Sequence, residues 1–286
     1  MTDWLAFCRD AAAAVERALA ELATRTDREP VVALGEGGDE TTAIDAAAES
    51  AVVALLERLH AGGVEFTLVS EELGERSFGA DGVRVVLDPI DGSMNAKRGI
   101  PFFSVSIAVA DGAVMRDVFF GYVFDFGTRE EWTARRGEGA FLNGERLDGP
   151  GPKEKVEMLS FEATTTELVA EQIADMVGIA DRTRIMGSLA LSLCHLAAGR
   201  VDGVCSLKPA RSVDIAAAQL LVRERGLAID LPDAPPFGEA PLDLAGRSRV
   251  VAAASPERCA ELFAHLSASD RSDAAGSPSR PATRPP

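Results

Sequence analysis

The sequence predicts an α+β first half followed by an α/β second half, and three observations carry that reading. Two helix-forming stretches precede a series of short apolar, β-branched runs in the first 148 residues. Beyond residue 149, strand-like and helical segments alternate, as in α/β units. Between the apolar runs of the first half lies VVLDPIDGSMNAKRGIPFFSVS, residues 85 to 106, where acidic and turn-forming residues concentrate around a strand end. The expected division is residues 1–148, residues 149–266 and a disordered tail over 267–286.

Residues 2–24 read as an amphipathic helix, with Leu5, Val15, Leu19 and Leu22 among many alanines, broken between Asp27 and Pro30. GEGGDETTAID, residues 35–45, is a glycine-rich loop leading into a helix that runs to about His60. Thr41 or Thr42 can cap that helix, which leaves Asp45 one turn inside. Phe66–Ser70 is a strand followed at once by Glu71 and Glu72. Val83–Leu87 is another, expected to stop at Asp88 because Pro89 cannot donate to a sheet ladder. Gly92, Ser93 and Asn95 then suit a turn and a helix start. A hairpin over 102–110 and 118–124 should turn at Asp111-Gly112, and a second, over 132–142, should close at Asn143-Gly144.

In the second half, residues 156–161 read as a strand, 167–177 as a helix and 183–186 as a strand. A helix from Ser188 to Ala198 is stopped by Gly199, and a strand follows over 201–206. Residues 213–225 read as a helix ending at Gly226, 249–254 as a late strand, and Pro256 opens a last helix. From about Ser267 large apolar residues almost vanish, which predicts disorder.

A net charge of −16 over 286 residues argues against nucleic acid or an anionic membrane as partner. No run of eighteen apolar residues appears and the N-terminus lacks the order of a signal peptide, so a soluble, cytoplasmic protein is expected. Cys8, Cys194, Cys205 and Cys259 are scattered and read as reduced core residues; His60, His195 and His265 form no zinc-like cluster. Lysine is confined to Lys97, Lys153, Lys155 and Lys208. That scarcity, with the acidic surplus, resembles proteins of salt-loving microbes, although a GC-rich coding bias gives the same arginine preference.

The chemistry sits in the carboxylates. Asp88 and Asp91 at a strand end, beside N–H groups freed by a turn, can hold divalent cations and a phosphate together, or simply form an Asp-Pro turn. Glu71 and Glu72 are solvated unless the fold brings neighbouring strand ends together. Asp45 can favour a helix dipole, and Asp214 can be a helix cap or a ligand.

Five segments in order, GGDETTAID, SEE (70–72), LDPIDGSMN, MGSLA (186–190) and RSVDIAAA (211–218), resemble the inositol monophosphatase family of metal-dependent, lithium-sensitive phosphatases over roughly residues 35–265. The continuation KRGIPFFSVSIAVA looks most like the archaeal branch, whose members commonly act on both fructose 1,6-bisphosphate and inositol monophosphate. The resemblance implies a layered αβαβα sandwich of the sugar phosphatase type, a homodimer, and two or three magnesium ions. Its ligands would be Glu71, Asp88, Asp91, Asp214 and the carbonyl of Ile90, with Glu72 and Asp39 near a weaker third ion. Asp45 and Ser93 would orient and deprotonate a water, and Gly92, Ser93 and Met94 would receive the phosphoryl group. Arg184, Gly187, Ser188, Leu189 and Lys208 align with sugar or second-phosphate contacts, with Arg211 competing for the place of Lys208. Two departures stand out: Ser93 replaces the usual threonine, and Glu36 lies near where some relatives carry a lysine. The implied partner is a small phosphate ester. Alternatives are 3′-phosphoadenosine 5′-phosphate or histidinol phosphate as substrate, and a non-catalytic metal-binding dimer.

Overall fold

The computed structural model describes residues 2–36, 38, 40–79, 82–162 and 165–272, the last six as backbone alone. Asp39 and the tail beyond Ser272 lie outside the described residues.

Helix α1 (Trp4–Glu21) buries Trp4, Phe7, Cys8, Val15 and Leu19, and the side chain of Asp3 caps it by accepting from Ala6 N–H. The helix stops before residue 24, and α2 (Arg25–Arg28) follows as a short capped turn. Strands β1 (Val31–Leu34) and β2 (Glu40–Thr42) form an antiparallel ribbon around the expected glycine-rich loop. The ribbon feeds directly into α3 (Ala43–Ala61). Thr42 is the N-cap residue and Asp45 reaches back to its N–H, 3.1 Å away, so the threonine expectation holds for Thr42.

The first sheet contains β3 (Phe66–Ser70), β4 (Gly74–Phe78) and β5 (Arg84–Asp91), and α4 (Ser93–Arg98) follows β5. It continues through β6 (Ser104–Ala110), β7 (Val118–Asp125), β8 (Glu131–Arg135), β9 (Gly139–Leu142) and β10 (Glu145–Arg146). The eight strands lie in the order β10-β9-β8-β7-β6-β5-β3-β4, and β3 and β5 are the parallel neighbours. Pro89 does not end β5. Asp88 faces Ser106 but Asp91 faces Ser104, so one extra residue forms a bulge and no ladder N–H is required of Pro89, which has none. The β6–β7 connection is a seven-residue excursion over 111–117 with a 3₁₀ turn, rather than a tight Asp-Gly turn. The β8–β9 hairpin closes at residues 136–138, and Asn143-Gly144 turns β9 into β10 with both residues at positive φ.

The second sheet contains β11 (Val156–Glu162), then α5 (Thr166–Gln172), β12 (Ala180–Arg184), α6 (Leu189–Ala197) and β13 (Gly203–Ala210). After these come α7 (Ser212–Ile215), α8 (Ala218–Glu224), β14 (Ala228–Asp230), β15 (Ser248–Ala253) and α9 (Pro256–Ser272). Its order is β12-β11-β13-β15-β14, parallel across the first three strands and antiparallel beyond. The helix expected over 213–225 is two helices, α7 and α8, interrupted at Ala216–Ala217. The last helix continues through the first six residues assigned to the tail.

Packing yields five layers. Helices α1 and α3 cover the outer face of the first sheet around Phe66, Leu68 and Ile107. Helices α6 and α8 fill the space between the sheets, and α5 and α9 cover the far face of the second. This is the αβαβα sandwich that the resemblance implied. Three apolar cores hold the layers together, one outside each sheet and one between the sheets, and each holds buried cysteine: Cys8 in the first, Cys194 in the middle, Cys205 and Cys259 in the last. Among the described residues no helix is long and apolar enough to cross a membrane.

Candidate active site at the strand ends

Because β3 and β5 run parallel and adjacent, their C-terminal ends bring Glu71 beside Asp88, and Glu71 N–H donates to Leu87 O at 3.2 Å. Glu49 on α3 holds the turn in place, accepting from Ser70 Oγ and from Leu73 N–H at 3.0 Å. The start of α3 supplies Asp45, α7 supplies Asp214, and the segment before α6 supplies Gly187–Leu189. These pieces border one cavity of about 310 Å³ lined by Asp45, Glu71, Glu72, Asp88, Asp91 and Asp214, among others.

Each carboxylate is held differently. Asp88 Oδ1 accepts from Ile90 N–H at 3.0 Å, while Ile90 O accepts from Ser93 Oγ at 2.9 Å. Asp91 Oδ2 accepts from Ala190 N–H at 2.8 Å and from the hydroxyl of Ser188. Asp214 is the third residue of α7, and its Oδ2 reaches back to Arg211 N–H at 2.6 Å, so it does stabilise the helix start. The guanidinium of Arg211 donates to Glu71 Oε1 and, at 3.2 Å, to Asp214 Oδ1. Thr41 Oγ1 donates to Glu72.

Burial pushes the Glu71 carboxyl up to about 7, with the charges of Asp214 and Glu72 adding and Arg211 opposing. Burial likewise pushes Asp91 up to about 7, against the Ser188 hydrogen bond. Asp88 lies well above the usual carboxylate range for burial first, then for the charges of Glu71 and Asp91. Burial raises Glu72 too, opposed by the bond from Thr41.

This donor set fits a divalent cation. The oxygens are hard ligands of the kind magnesium takes. Among the described residues Asp45 Oδ1 is buried with no hydrogen-bond partner, a carboxyl oxygen without a donor. Among the described residues no three carboxylate, imidazole or thiol groups already meet as a metal cage, and Arg211 lies between two of the candidate ligands.

Of the other residues singled out from sequence, Ile90, Gly92, Ser93, Met94, Gly187, Leu189 and Lys208 line the cavity. Gly92 sits at φ +92°, and a side chain there would meet Gly187 O and Phe102 O, each at 3.1 Å. Ser93 donates to Ile90 O, and among the described residues no hydrogen bond joins it to Asp45. Ser188 is buried and spends its hydroxyl on Asp91 instead of facing the cavity. Arg184 is exposed, folds back onto Thr183 O at 2.8 Å, and is not part of the lining. Arg211, the rival of Lys208, joins the carboxylates. Sequence reasoning passed over Lys97, Glu162 and Arg247, which also line the cavity. Glu162 had a signal: it follows an apolar run in the sequence, as Asp88 and Glu71 do. Lys97 lies one helical turn after Ser93 on α4. Arg247 had none.

Comparison with known proteins identifies the family of the chain. The pattern of the inositol monophosphatase family matches residues 3–271. A fructose-1,6-bisphosphatase/inositol-1-monophosphatase of Archaeoglobus fulgidus is 32% identical over 257 residues, 88% of this chain and 93% of that protein. The protein of the same description from Methanothermobacter thermautotrophicus is 35% identical over 223 residues, 74% of this chain and 78% of its own length. A solved structure described as an inositol monophosphatase–fructose 1,6-bisphosphatase superimposes with a TM-score of 0.79 at 26% identity, covering 93% of this chain and all of that one. With its five layers, its ordered motifs and these relatives, the chain belongs to the inositol monophosphatase family.

Proposed function

We propose that the protein is a magnesium-dependent phosphatase that hydrolyses sugar and polyol phosphate monoesters, with fructose 1,6-bisphosphate and inositol monophosphate as the substrates to test first. The observation that carries this reading is the convergence of Glu71, Asp88 and Asp91 from first-sheet strand ends and Asp214 from α7 on one cavity that Asp45 also lines. The names of the archaeal relatives supply the two substrates.

Glu71, Asp88, Asp91, Asp214 and the Ile90 carbonyl would hold the metal, with Glu72 beside a weaker third site to which Asp39 is also assigned. Bound magnesium supplies positive charge for the phosphoryl oxygens and the leaving alkoxide, and makes water more acidic. Asp45 has one oxygen committed to Thr42, so its buried Oδ1 is the base that takes the proton of the attacking water. Ser93 has committed its own proton to Ile90 O, which leaves its oxygen free to accept from that water and orient it. Gly92, Ser93 and Met94 form the wall that receives the phosphoryl group, with the Gly92 and Ser93 N–H groups as donors. Lys97, Lys208 and Arg247 give the same cavity a cationic side in a chain of net charge −16, suited to a sugar bearing a second phosphate.

The deciding experiment is phosphate release with magnesium from fructose 1,6-bisphosphate, inositol 1-phosphate, 3′-phosphoadenosine 5′-phosphate and histidinol phosphate, at low and molar salt. Turnover of the first two supports the reading. Turnover of either of the others alone moves the substrate, and none with magnesium bound moves it to another ester. A salt requirement supports the halophilic character, and sedimentation at working concentration tests the homodimer. Fractionation of the source cells tests the cytoplasmic setting.

A further inference from the structure

We infer that Glu162 is a positioning residue that sets the 186–190 segment and, through that segment, fixes Asp91 on the other sheet. The inference rests on the phosphatase reading above.

Glu162 ends β11 at 7% exposure and is gripped by donors, none of them a cation among the described residues. Its Oε2 accepts from Gly187 N–H at 2.8 Å. Its Oε1 accepts from Ser192 Oγ at 2.7 Å, Ser160 Oγ at 2.9 Å and, more weakly, Met186 N–H at 3.4 Å. Bonds to a buried carboxylate are the strong, short kind, so this anion ties down every group that touches it. Two of these groups are consecutive backbone amides, and a third, Ser192, lies on the first turns of α6. One side chain therefore fixes both the loop and the start of the helix it enters.

From the opposite side, Asn95 Nδ2 donates to Met186 O at 2.7 Å and to Phe102 O at 2.8 Å. Gly187 between them has φ +87°, and a Cβ there would lie 3.1 Å from Asn95 Nδ2. The segment is thus clamped between α4 of the first half and β11 of the second. What it carries faces two ways. Gly187 and Leu189 line the cavity, while Ser188 Oγ and Ala190 N–H both bond Asp91 Oδ2. Ser192 Oγ also lies 2.8 Å from Ser188 O, so its single proton is shared between Glu162 and the residue that meets Asp91. With Oδ2 held by two donors, Oδ1 is the Asp91 oxygen that would be left for a metal. Outer-shell partners of this kind typically change metal affinity or activity by ~10–100-fold when removed.

The test uses the full chain. Magnesium affinity is read by calorimetry, KM and kcat by phosphate release, and folding by circular dichroism and thermal unfolding, for wild type, Glu162→Ala, Glu162→Gln and Ser188→Ala. Glu162→Ala should weaken magnesium about tenfold and raise KM several-fold, with kcat at saturation within about threefold. Glu162→Gln keeps an acceptor for Gly187 N–H and should recover most of both. Ser188→Ala should weaken magnesium and leave KM closer to wild type, because the cavity face of the segment stays clamped. A folded Glu162→Ala with wild-type magnesium affinity and KM overturns the inference, as does a Tm loss with neither changed. Should Glu162→Ala fail to fold, wild-type magnesium affinity in Ser188→Ala overturns it. Wild-type protein that neither binds magnesium nor turns over overturns the phosphatase reading first, and this inference with it.

Discussion

Ser188 donates its hydroxyl proton to Oδ2 of Asp91, across 97 positions of sequence and from the second half of the chain to the first. The bond makes the geometry of one strand-end carboxylate depend on how the two sheets dock. Ala190 N–H repeats the link at 2.8 Å. The candidate site is therefore a property of the assembled sandwich.

Replacing Asp91 by Asn should separate chemistry from folding. An asparagine oxygen can still accept from Ser188 and Ala190, so the docking contact survives, but a neutral amide faces the metal position. Turnover should fall at least about a hundredfold while thermal unfolding changes by a few degrees at most. Near-normal turnover would remove Asp91 from the ligand set.

Asp45→Asn tests the base. The amide oxygen can still accept from Thr42 N–H, so the start of α3 should stay intact. The loss should fall on kcat, by about 10² to 10⁴, with magnesium affinity altered far less. An unchanged kcat would return Asp45 to being a helix-start residue alone.

The metal-free protein should lose stability as pH rises from about 4 to about 7. Glu71 and Asp91 titrate near 7 when folded but in the ordinary carboxylate range when unfolded. Their folded pKa values are raised, so their contribution is fully present below the unfolded pKa and is lost as pH climbs through the folded value. Magnesium competes with those protons, so its stabilising effect should be larger at pH 8 than at pH 5. Thermal unfolding with and without magnesium at the two pH values checks both signs; equal increments would mean that the buried carboxyls are already ionised at pH 5.

Arg211 bridges Glu71 and Asp214 with a guanidinium only 7% exposed. Truncation to Ala leaves two half-buried carboxylates without it, a loss on the order of 2 kcal/mol for metal-free protein at neutral pH. Magnesium should then raise the unfolding temperature of Arg211→Ala by more than that of wild type, since it replaces the missing positive charge. An increment no larger than wild type would show that Arg211 and the metal do not share these carboxylates.

Much of the site was legible because its chemistry sits at strand ends. An apolar run that stops on a carboxylate is a local pattern, and Glu71 and Asp88 carry it. The parallel pairing of β3 and β5 then turns two local patterns into one cluster. What the chain could not show locally is set by distant partners. Glu162 gains its role from Gly187 and Ser192, 25 and 30 residues away. Pro89 obeys the rule against ladder donation, yet the strand passes through it because β6 slips by one residue opposite. Asn143-Gly144 is the hairpin turn its composition promises, between a different pair of strands. Ser188 and Arg184 looked alike as sugar contacts; a helix start buried one, and an exposed edge strand kept the other out of the cavity.

The cysteines give the molecule three internal clocks. Cys8 is sealed beneath the first helical layer, Cys194 between the sheets, and Cys205 with Cys259 beneath the last layer. Burial holds each thiol protonated: that of Cys259 is pushed up to about 12, and those of Cys8, Cys194 and Cys205 are raised as well. An alkylating reagent in excess can reach each thiol only when its own layer opens, so peptide-resolved labelling over time would record the order in which the sandwich comes apart.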